Sequence, residues 1–139
     1  MFKHILVPLD LSDKHQPALD VAQELARQGK GKVTLLHVIE VIPGLGLEEE
    51  KTFYDRLERM ARKHLERYGT SLAANQVSWE GKVVFGQRAP EVSRVAKEAG
   101  ADLVVVTAPQ FDPKNPGASW GSMSWKIGIL APCPVLLVK

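Results

Sequence analysis

Ala101-Asp-Leu-Val-Val-Val-Thr107 and Ala131-Pro-Cys-Pro-Val-Leu-Leu-Val138 are two apolar runs in the last third of the chain, and they decide its fold. Between them lie a loop rich in proline, glycine and asparagine, residues 108–118, and an apolar helical pattern that contains Gly121-Ser122. The order strand, loop, helix, strand predicts a βαβ unit. Since a Gly-Ser pair at a helix start offers backbone N–H groups and a hydroxyl to an anion, this unit contains a candidate phosphate site.

In the rest of the chain, short apolar runs also alternate with segments whose apolar residues recur at helical spacing. Short apolar runs predict buried strands, and apolar residues at helical spacing between them predict helices. The predicted strands are residues 4–8, 32–39, 77–85, 102–107 and 134–138, and the predicted helices cover residues 18–26, 48–68, 91–99 and 119–130. Ser12 or Asp13 is the expected cap of the first helix. Strands separated by helices predict one α/β domain, residues 1–139, with a doubly wound, Rossmann-like, five-stranded parallel sheet flanked by helices.

The composition limits the classes of function. The 139 residues include 18 basic and 16 acidic side chains, and this formal net charge of +2 gives no electrostatic footprint for nucleic acid or an acidic membrane. No apolar stretch reaches the roughly 18 residues of a membrane-spanning helix, and the N-terminal apolar run is too short for a signal peptide. The single cysteine, Cys133, excludes an internal disulfide and fits a reducing compartment. We therefore expect a cytoplasmic protein without membrane insertion.

Ligands of doubly wound sheets bind beyond the carboxyl ends of the strands, so the loops at that edge hold the candidate site. Asp10 follows the first strand, and it can either contact a ribose or adenine or serve as a turn or capping residue. His4 and His37 lie in buried strands, where we expect hydrogen-bonded core histidines. His15 and His64 are predicted on helix surfaces. No two of these histidines share metal-ligand spacing, and no cysteine joins them, so no metal is assigned.

Sequence motifs of catalysis are missing. There is no Gly-x-Ser-x-Gly elbow, and Cys133 lies between two prolines with no basic neighbour to activate its thiol. Neither of the common glycine-rich phosphate-binding motifs occurs. A receiver domain of the same fold would need an aspartate after the third strand, where this chain has Phe85-Gly86. We assign no catalytic residue, and the sequence favours a binding protein over an enzyme.

Three further pieces of the sequence follow a family pattern: the opening Lys3-His-Ile-Leu-Val-Pro-Leu-Asp10, the second strand Leu35-Leu-His-Val38, and Gly86 followed by Pro90. With these pieces, the chain resembles the universal stress protein family over nearly its whole length. The two apolar runs of the last third are similar to the last two strands of the family. The order and spacing of these pieces imply the universal stress protein type of Rossmann-like fold.

The resemblance also implies where a nucleotide would bind. Many members bind ATP through Gly-x2-Gly-x9-Gly-[Ser/Thr]. In this chain Thr107 and Gln110 stand at the first two glycines, and ten residues rather than nine precede Gly121-Ser122. Glycines in such loops allow the backbone to approach a phosphate closely, and these two side chains add bulk there. The positions that correspond to a nucleotide site are Pro8, Leu9, Asp10, Val38, Val106, Thr107, Gly121, Ser122 and Met123. A partial site is implied, with ATP as the one candidate cofactor.

The function implied by this resemblance is that of a stress-related binding or regulatory protein with weak or no nucleotide binding. Two alternatives stay open. The first is an ATP-binding, slowly ATP-hydrolysing switch, which Gly121-Ser122 supports. The second is a regulatory subunit of a larger assembly such as a transporter, which the altered loop supports.

The last strand is the expected dimer contact. It is apolar, and it is the last strand in the predicted strand order, so it would leave an unpaired sheet edge in a monomer. The family resemblance points the same way. The residues expected in this contact are Pro134, Val135, Leu136, Leu137 and Val138.

Trp125 is a candidate contact for a protein partner. Met123, Ile127, Leu130 and Ala131 follow helical spacing and are predicted to face the sheet. Trp125 lies roughly 160° from the centre of that stripe. We therefore expect the indole ring to be at least partly exposed on a partner or oligomer surface. The alternative is that the loop 108–118 folds back and covers it.

Overall fold

The computed structural model describes residues 1–117 and 120–139, in which strands and helices alternate as the sequence predicts. The strands are β1 (His4–Pro8), β2 (Lys32–Ile39), β3 (Ser78–Phe85), β4 (Leu103–Thr107) and β5 (Val135–Val138), and the helices are α1 (Gln16–Gly29), α2 (Lys51–Ala74), α3 (Arg88–Ala99) and α4 (Met123–Leu130). Among the helices in these two ranges, none is both long and apolar enough to cross a membrane.

The five strands form one parallel sheet in the order β3-β2-β1-β4-β5. The predicted doubly wound parallel sheet is therefore confirmed. β1 pairs with β2 on one side and with β4 on the other. Because the strand order reverses between β1 and β4, a crevice opens there at the carboxyl ends of the strands.

Alternate residues of the central strands enter two separate cores. Ile5 and Val7 of β1 pack with the apolar faces of α1 and α2. Leu6, which lies between them, packs on the other face against α3 and α4. All three side chains are fully buried. Helices on both faces explain why the strands read as continuous apolar runs rather than as an alternating pattern.

The buried histidines of the strands are hydrogen-bonded, as predicted. His4 Nδ1 lies 2.9 Å from the carbonyl oxygen of Ala99, and its Nε2 lies 2.6 Å from Thr34 Oγ1. His37 Nδ1 lies 2.8 Å from the carbonyl oxygen of Leu9. These contacts use the ring nitrogens to tie neighbouring segments together, which is a structural role.

α1 begins at Gln16, two residues before the predicted range, and lacks the predicted cap. His15 is the N-cap residue, and its side chain accepts no helix N–H. The prediction of Ser12 or Asp13 as the cap is wrong, because Ser12 uses its hydroxyl to donate to Asp10 inside the preceding loop. At the other end, Lys30 adopts the left-handed conformation with φ 53°, and Gly31 N donates to the carbonyl oxygen of Ala26.

α4 is shorter than predicted, and Ser122 is its N-cap residue. Ala118 and Ser119, where the predicted helix starts, lie outside the described residues. Ile127 is buried and Met123 is half-buried, as expected for residues that face the sheet. Leu130 is 47% exposed, so its predicted orientation is wrong. In a two-turn helix with apolar residues on all sides, spacing does not define a single buried face.

Candidate functional site

The crevice at the end of β1 and β4 contains a cavity of about 130 Å³. It brings together most of the residues that the sequence assigned to a nucleotide site. The predicted residues that line it are Pro8, Leu9, Asp10, Val38, Val106, Thr107 and Met123. Gly121 and Ser122 are not among the lining residues and lie next to it, at the start of α4. The further lining residues are Lys14, His15, Leu36, Arg88, Val92, Ser124 and Ile127.

Asp10 is the centre of a compact turn after β1. Its Oδ1 accepts hydrogen bonds from the backbone N–H of Ser12 at 2.8 Å and from the Ser12 hydroxyl, and it contacts His15 Nε2 at 2.7 Å. Burial alone would raise the pKa of this carboxyl, but the bonds from Ser12 and His15 outweigh burial and hold the pKa well below its ordinary value. Asp10 is therefore an ionised carboxylate that orients the loop. Of the two roles considered for Asp10, a ligand contact or a turn residue, its observed contacts are those of a turn residue.

His15 is buried, with 5% of its surface exposed, so its prediction as a surface residue is wrong. Its Nδ1 lies 2.8 Å from Thr107 Oγ1, at the end of β4. The imidazole thus bridges the crevice from the loop after β1 to the neighbouring strand. No local sequence pattern encodes this bridge, because the two residues it joins are 92 positions apart.

The start of α4 has the geometry expected of the Gly-Ser end of the predicted motif, but its hydroxyl is in use. Gly121 has φ +75°, a left-handed conformation that favours glycine. Ser122 Oγ accepts the backbone N–H of Trp125 at 3.3 Å and lies 3.2 Å from Ser124 Oγ. Ser122 therefore acts as a helix cap, and an anion at this position would have to share its hydroxyl.

The loop after β4 does not form a glycine-rich cradle in its described part. Gln110, at the second glycine position of the motif, is exposed and does not line the cavity. The segment folds on itself: Asp112 Oδ1 accepts the backbone N–H of Lys114 at 2.9 Å, and the Asp112 carbonyl accepts that of Asn115 at 3.1 Å. Up to residue 117, this loop therefore offers the crevice no ring of backbone donors.

Two cationic side chains stand at the rim of the cavity. Lys14 Nζ lies 3.5 Å from Asp10 Oδ2, and Arg88 Nε lies 3.7 Å from Glu40 Oε1. Lys14, Arg88 and Glu40 are exposed to solvent and Asp10 is half-buried, so these contacts contribute little to stability.

The surroundings of two histidines near the site, His37 and His64, lower their pKa. Burial, followed by the nearby Arg88 guanidinium, lowers the pKa of His37 below its ordinary value. Burial also lowers the pKa of His64, which is half-buried rather than a plain surface residue. Within residues 1–117 and 120–139, no three His, Cys, Asp or Glu side chains are placed to hold a metal ion together.

The family model described as the universal stress protein family matches residues 1–139. The chain belongs to the universal stress protein family. Among curated members, it is 31% identical over 150 residues to universal stress protein YxiE of Bacillus subtilis, with 100% of both chains covered. It is also 31% identical over 151 residues to universal stress protein G of Shigella flexneri, again with 100% of both covered.

Solved structures share the fold. The structure of MJ0577 superposes with a TM-score of 0.85 at 25% identity, covering 100% of this chain and 96% of the other. A universal stress protein from Archaeoglobus fulgidus in complex with dAMP superposes with a TM-score of 0.73 at 20% identity, covering 99% and 98%. The sequence resemblance and the predicted fold are both confirmed by these comparisons.

Proposed function

We propose that this member of the family is a cytoplasmic binding and regulatory protein whose crevice takes a ligand no larger than a nucleoside or its monophosphate. The observation that carries the proposal is the cavity of about 130 Å³, because small-molecule sites usually measure roughly 300–1,000 Å³. Pro8, Leu9, Val38 and Val106 give it apolar walls, and Asp10 adds a carboxylate. A base or a ribose fits this lining better than a chain of phosphates does.

The groups that would hold a polyphosphate are occupied or displaced. The Thr107 hydroxyl lies within hydrogen-bond distance of His15, and the Ser122 hydroxyl caps α4. Thr107 also carries a side chain where the family motif has glycine. Among the described lining residues, the cations left for an anion are Lys14 and Arg88 at the rim, and each lies close to a carboxylate. These observations favour weak or absent ATP binding over the ATP-driven switch.

Calorimetric titration with adenosine, AMP, ADP and ATP tests this proposal. We expect ATP to bind with a dissociation constant above ~100 µM, which corresponds to a binding free energy weaker than about −5.5 kcal/mol. Low-micromolar affinity for ATP, or ATP retained through purification, would contradict the proposal. If ATP does bind, Ser122→Ala should weaken ATP more than adenosine, because adenosine has no phosphate to contact Ser122. Ser71→Ala, on the exposed side of α2, is the matched control.

A second candidate function, that of a regulatory subunit in an assembly, is favoured by an apolar surface on α4. We call this the α4 surface and define it by Trp120, Trp125, Ile129 and Leu130. Trp120 is 72% exposed and Trp125 is 42% exposed, and their rings meet edge to face with centroids 6.2 Å apart. The ring of Trp120 thus covers Trp125 only in part. Exposed indoles are enriched at binding hot spots, and we propose that the α4 surface contacts a partner or a second copy.

Trp125→Ala separates a contact role from a packing role. We expect the melting temperature to stay within a few degrees of wild type while association weakens, because the ring packs on Trp120 rather than in the core. Trp79→Ala is the matched control, since Trp79 packs against the core between the sheet and α2. That variant should melt ~10 °C lower. A similar drop for Trp125→Ala in differential scanning calorimetry would show that Trp125 is a core residue.

A further inference from the structure

A chain of hydrogen-bond contacts links a carboxylate, an imidazole and a hydroxyl, which belong to Asp10, His15 and Thr107. Asp10 Oδ1 lies 2.7 Å from His15 Nε2, and His15 Nδ1 lies 2.8 Å from Thr107 Oγ1. Asp10 and His15 lie in the loop between β1 and α1, Thr107 ends β4, and all three line the same cavity. A hydroxyl bonded to a base that is itself oriented by a carboxylate is the arrangement that activates a nucleophile.

The proton positions follow from the neighbours of the ring. The backbone N–H of Asp10 is directed at His15 Nε2 from 3.2 Å, but the Asp10 carboxylate lies closer, at 2.7 Å, and is the stronger partner because it is charged. The ionised carboxylate therefore places the ring proton on Nε2. Nδ1 is then the unprotonated nitrogen, and it accepts the hydroxyl proton of Thr107. His15 is thus set as a base toward Thr107 Oγ1.

The rest of the cavity fits an acyl group. Leu36, Val38, Val92, Val106 and Ile127 supply apolar walls. The small volume of the cavity, about 130 Å³, suits a short acyl chain. Met123 and Ser124 also line the cavity. Their backbone N–H groups belong to the first turn of α4, where helix N–H groups have no carbonyl partner within the helix.

We propose that this crevice catalyses acyl transfer from short-chain carboxylic esters, with Thr107 as the nucleophile and His15 as the general base. Thr107 Oγ1 forms a bond to the ester carbonyl carbon while its proton passes to His15 Nδ1. The carbon–oxygen bond to the leaving alcohol then breaks, and Nδ1 returns the proton to that alcohol oxygen. Water attacks the acyl-threonine in the same way, which releases the carboxylic acid and restores the hydroxyl.

The remaining groups assist this reaction without reacting. First-turn N–H groups of α4 stabilise the negative charge that develops on the carbonyl oxygen. Asp10 is a positioning residue, because it holds the His15 tautomer and stabilises the imidazolium. The proposal goes beyond the binding function and does not depend on any nucleotide, since the esters carry no base or phosphate.

The test uses the full chain and p-nitrophenyl butyrate, with nitrophenolate release as the readout. We expect hydrolysis by wild type, retained activity in Thr107→Ser, and a loss of about 100-fold or more in Thr107→Val and His15→Gln. Thr70→Val, which removes an exposed hydroxyl on α2, should keep the wild-type rate. Asp10→Asn should lower kcat with little change in KM, whereas a collapsed cavity would raise KM.

Mass spectrometry of the trapped acyl-protein tests whether Thr107 is the nucleophile, even if a variant folds poorly. An acyl group on Thr107 in wild type, and on the substituted hydroxyl of the same peptide in the Thr107→Ser variant, supports the proposal. Acyl groups found only on lysines, or equal rates for wild type and a folded Thr107→Val, would overturn it. Nucleoside binding is measured separately by calorimetry, so failure of the ester reaction leaves the proposed binding function standing, and the reverse also holds.

Discussion

Leu137→Asp should convert a wild-type homodimer into a monomer. β5 pairs with β4 along one edge, and Leu136 and Leu137 are exposed beside its other edge. We propose that the dimer forms when two such edges pair about a two-fold axis, so each substitution places two carboxylates in the contact. The dimer dissociation constant should rise by at least about 100-fold, a loss near ~3 kcal/mol.

Light scattering at tens of micromolar protein measures this change directly. Met60→Asp is the matched control, because Met60 is an exposed apolar residue on α2, away from β5. It should leave the dimer intact. A wild-type protein that is monomeric at this concentration would refute the assembly proposal, as would a dimeric Leu137→Asp. Pro134 precedes β5, where a missing N–H does not interrupt the ladder.

Gly31→Ala should lower the free energy of unfolding by about 2–3 kcal/mol, or the melting temperature by about 10 °C. A Cβ at Gly31 would lie 2.5 Å from the carbonyl oxygen of Phe2 and 2.8 Å from that of Lys3. Both are backbone atoms at the start of the sheet, so no side chain can move aside. The backbone itself would have to shift.

A glycine-to-alanine substitution in α4, Gly128→Ala, should not lower the free energy of unfolding. A Cβ at Gly128 meets no atom of the described residues within 4 Å, and alanine is favoured over glycine inside a helix by up to about 1 kcal/mol. Gly128→Ala should therefore be neutral or stabilising. Urea unfolding followed by circular dichroism compares the two variants. Equal losses in both would show that the close approach at Gly31 does not govern stability.

The fold could be predicted because each element carries its own signal. β1 and β2 are mostly apolar because both of their faces are covered, and α1 shows a clear apolar stripe. The end of α4 could not be predicted in the same way. Leu130 was expected on the sheet side, but a short helix with apolar residues on every side gives the same spacing whichever face is buried.

The site was predictable in outline and not in its chemistry. Strand ends and family positions identified Pro8, Asp10 and Val106 as neighbours, and the cavity contains all three. The burial of His15 could not be predicted, because its polar neighbours in sequence are typical of a helix surface. Its buried position depends on Thr107, far along the chain. Sequence spacing describes local faces, whereas this contact arises only when β1 and β4 pair.

The hydrogen bond between His15 and Thr107 should also affect which ligands bind in the crevice. Any molecule that pushes the Thr107 hydroxyl aside leaves a buried ring nitrogen without its donor, which costs about 1–3 kcal/mol. A molecule that brings a hydroxyl or amine of its own can replace the lost donor and avoid this cost. We therefore expect sugars and alcohols to bind in the crevice more tightly than purely apolar molecules of the same size.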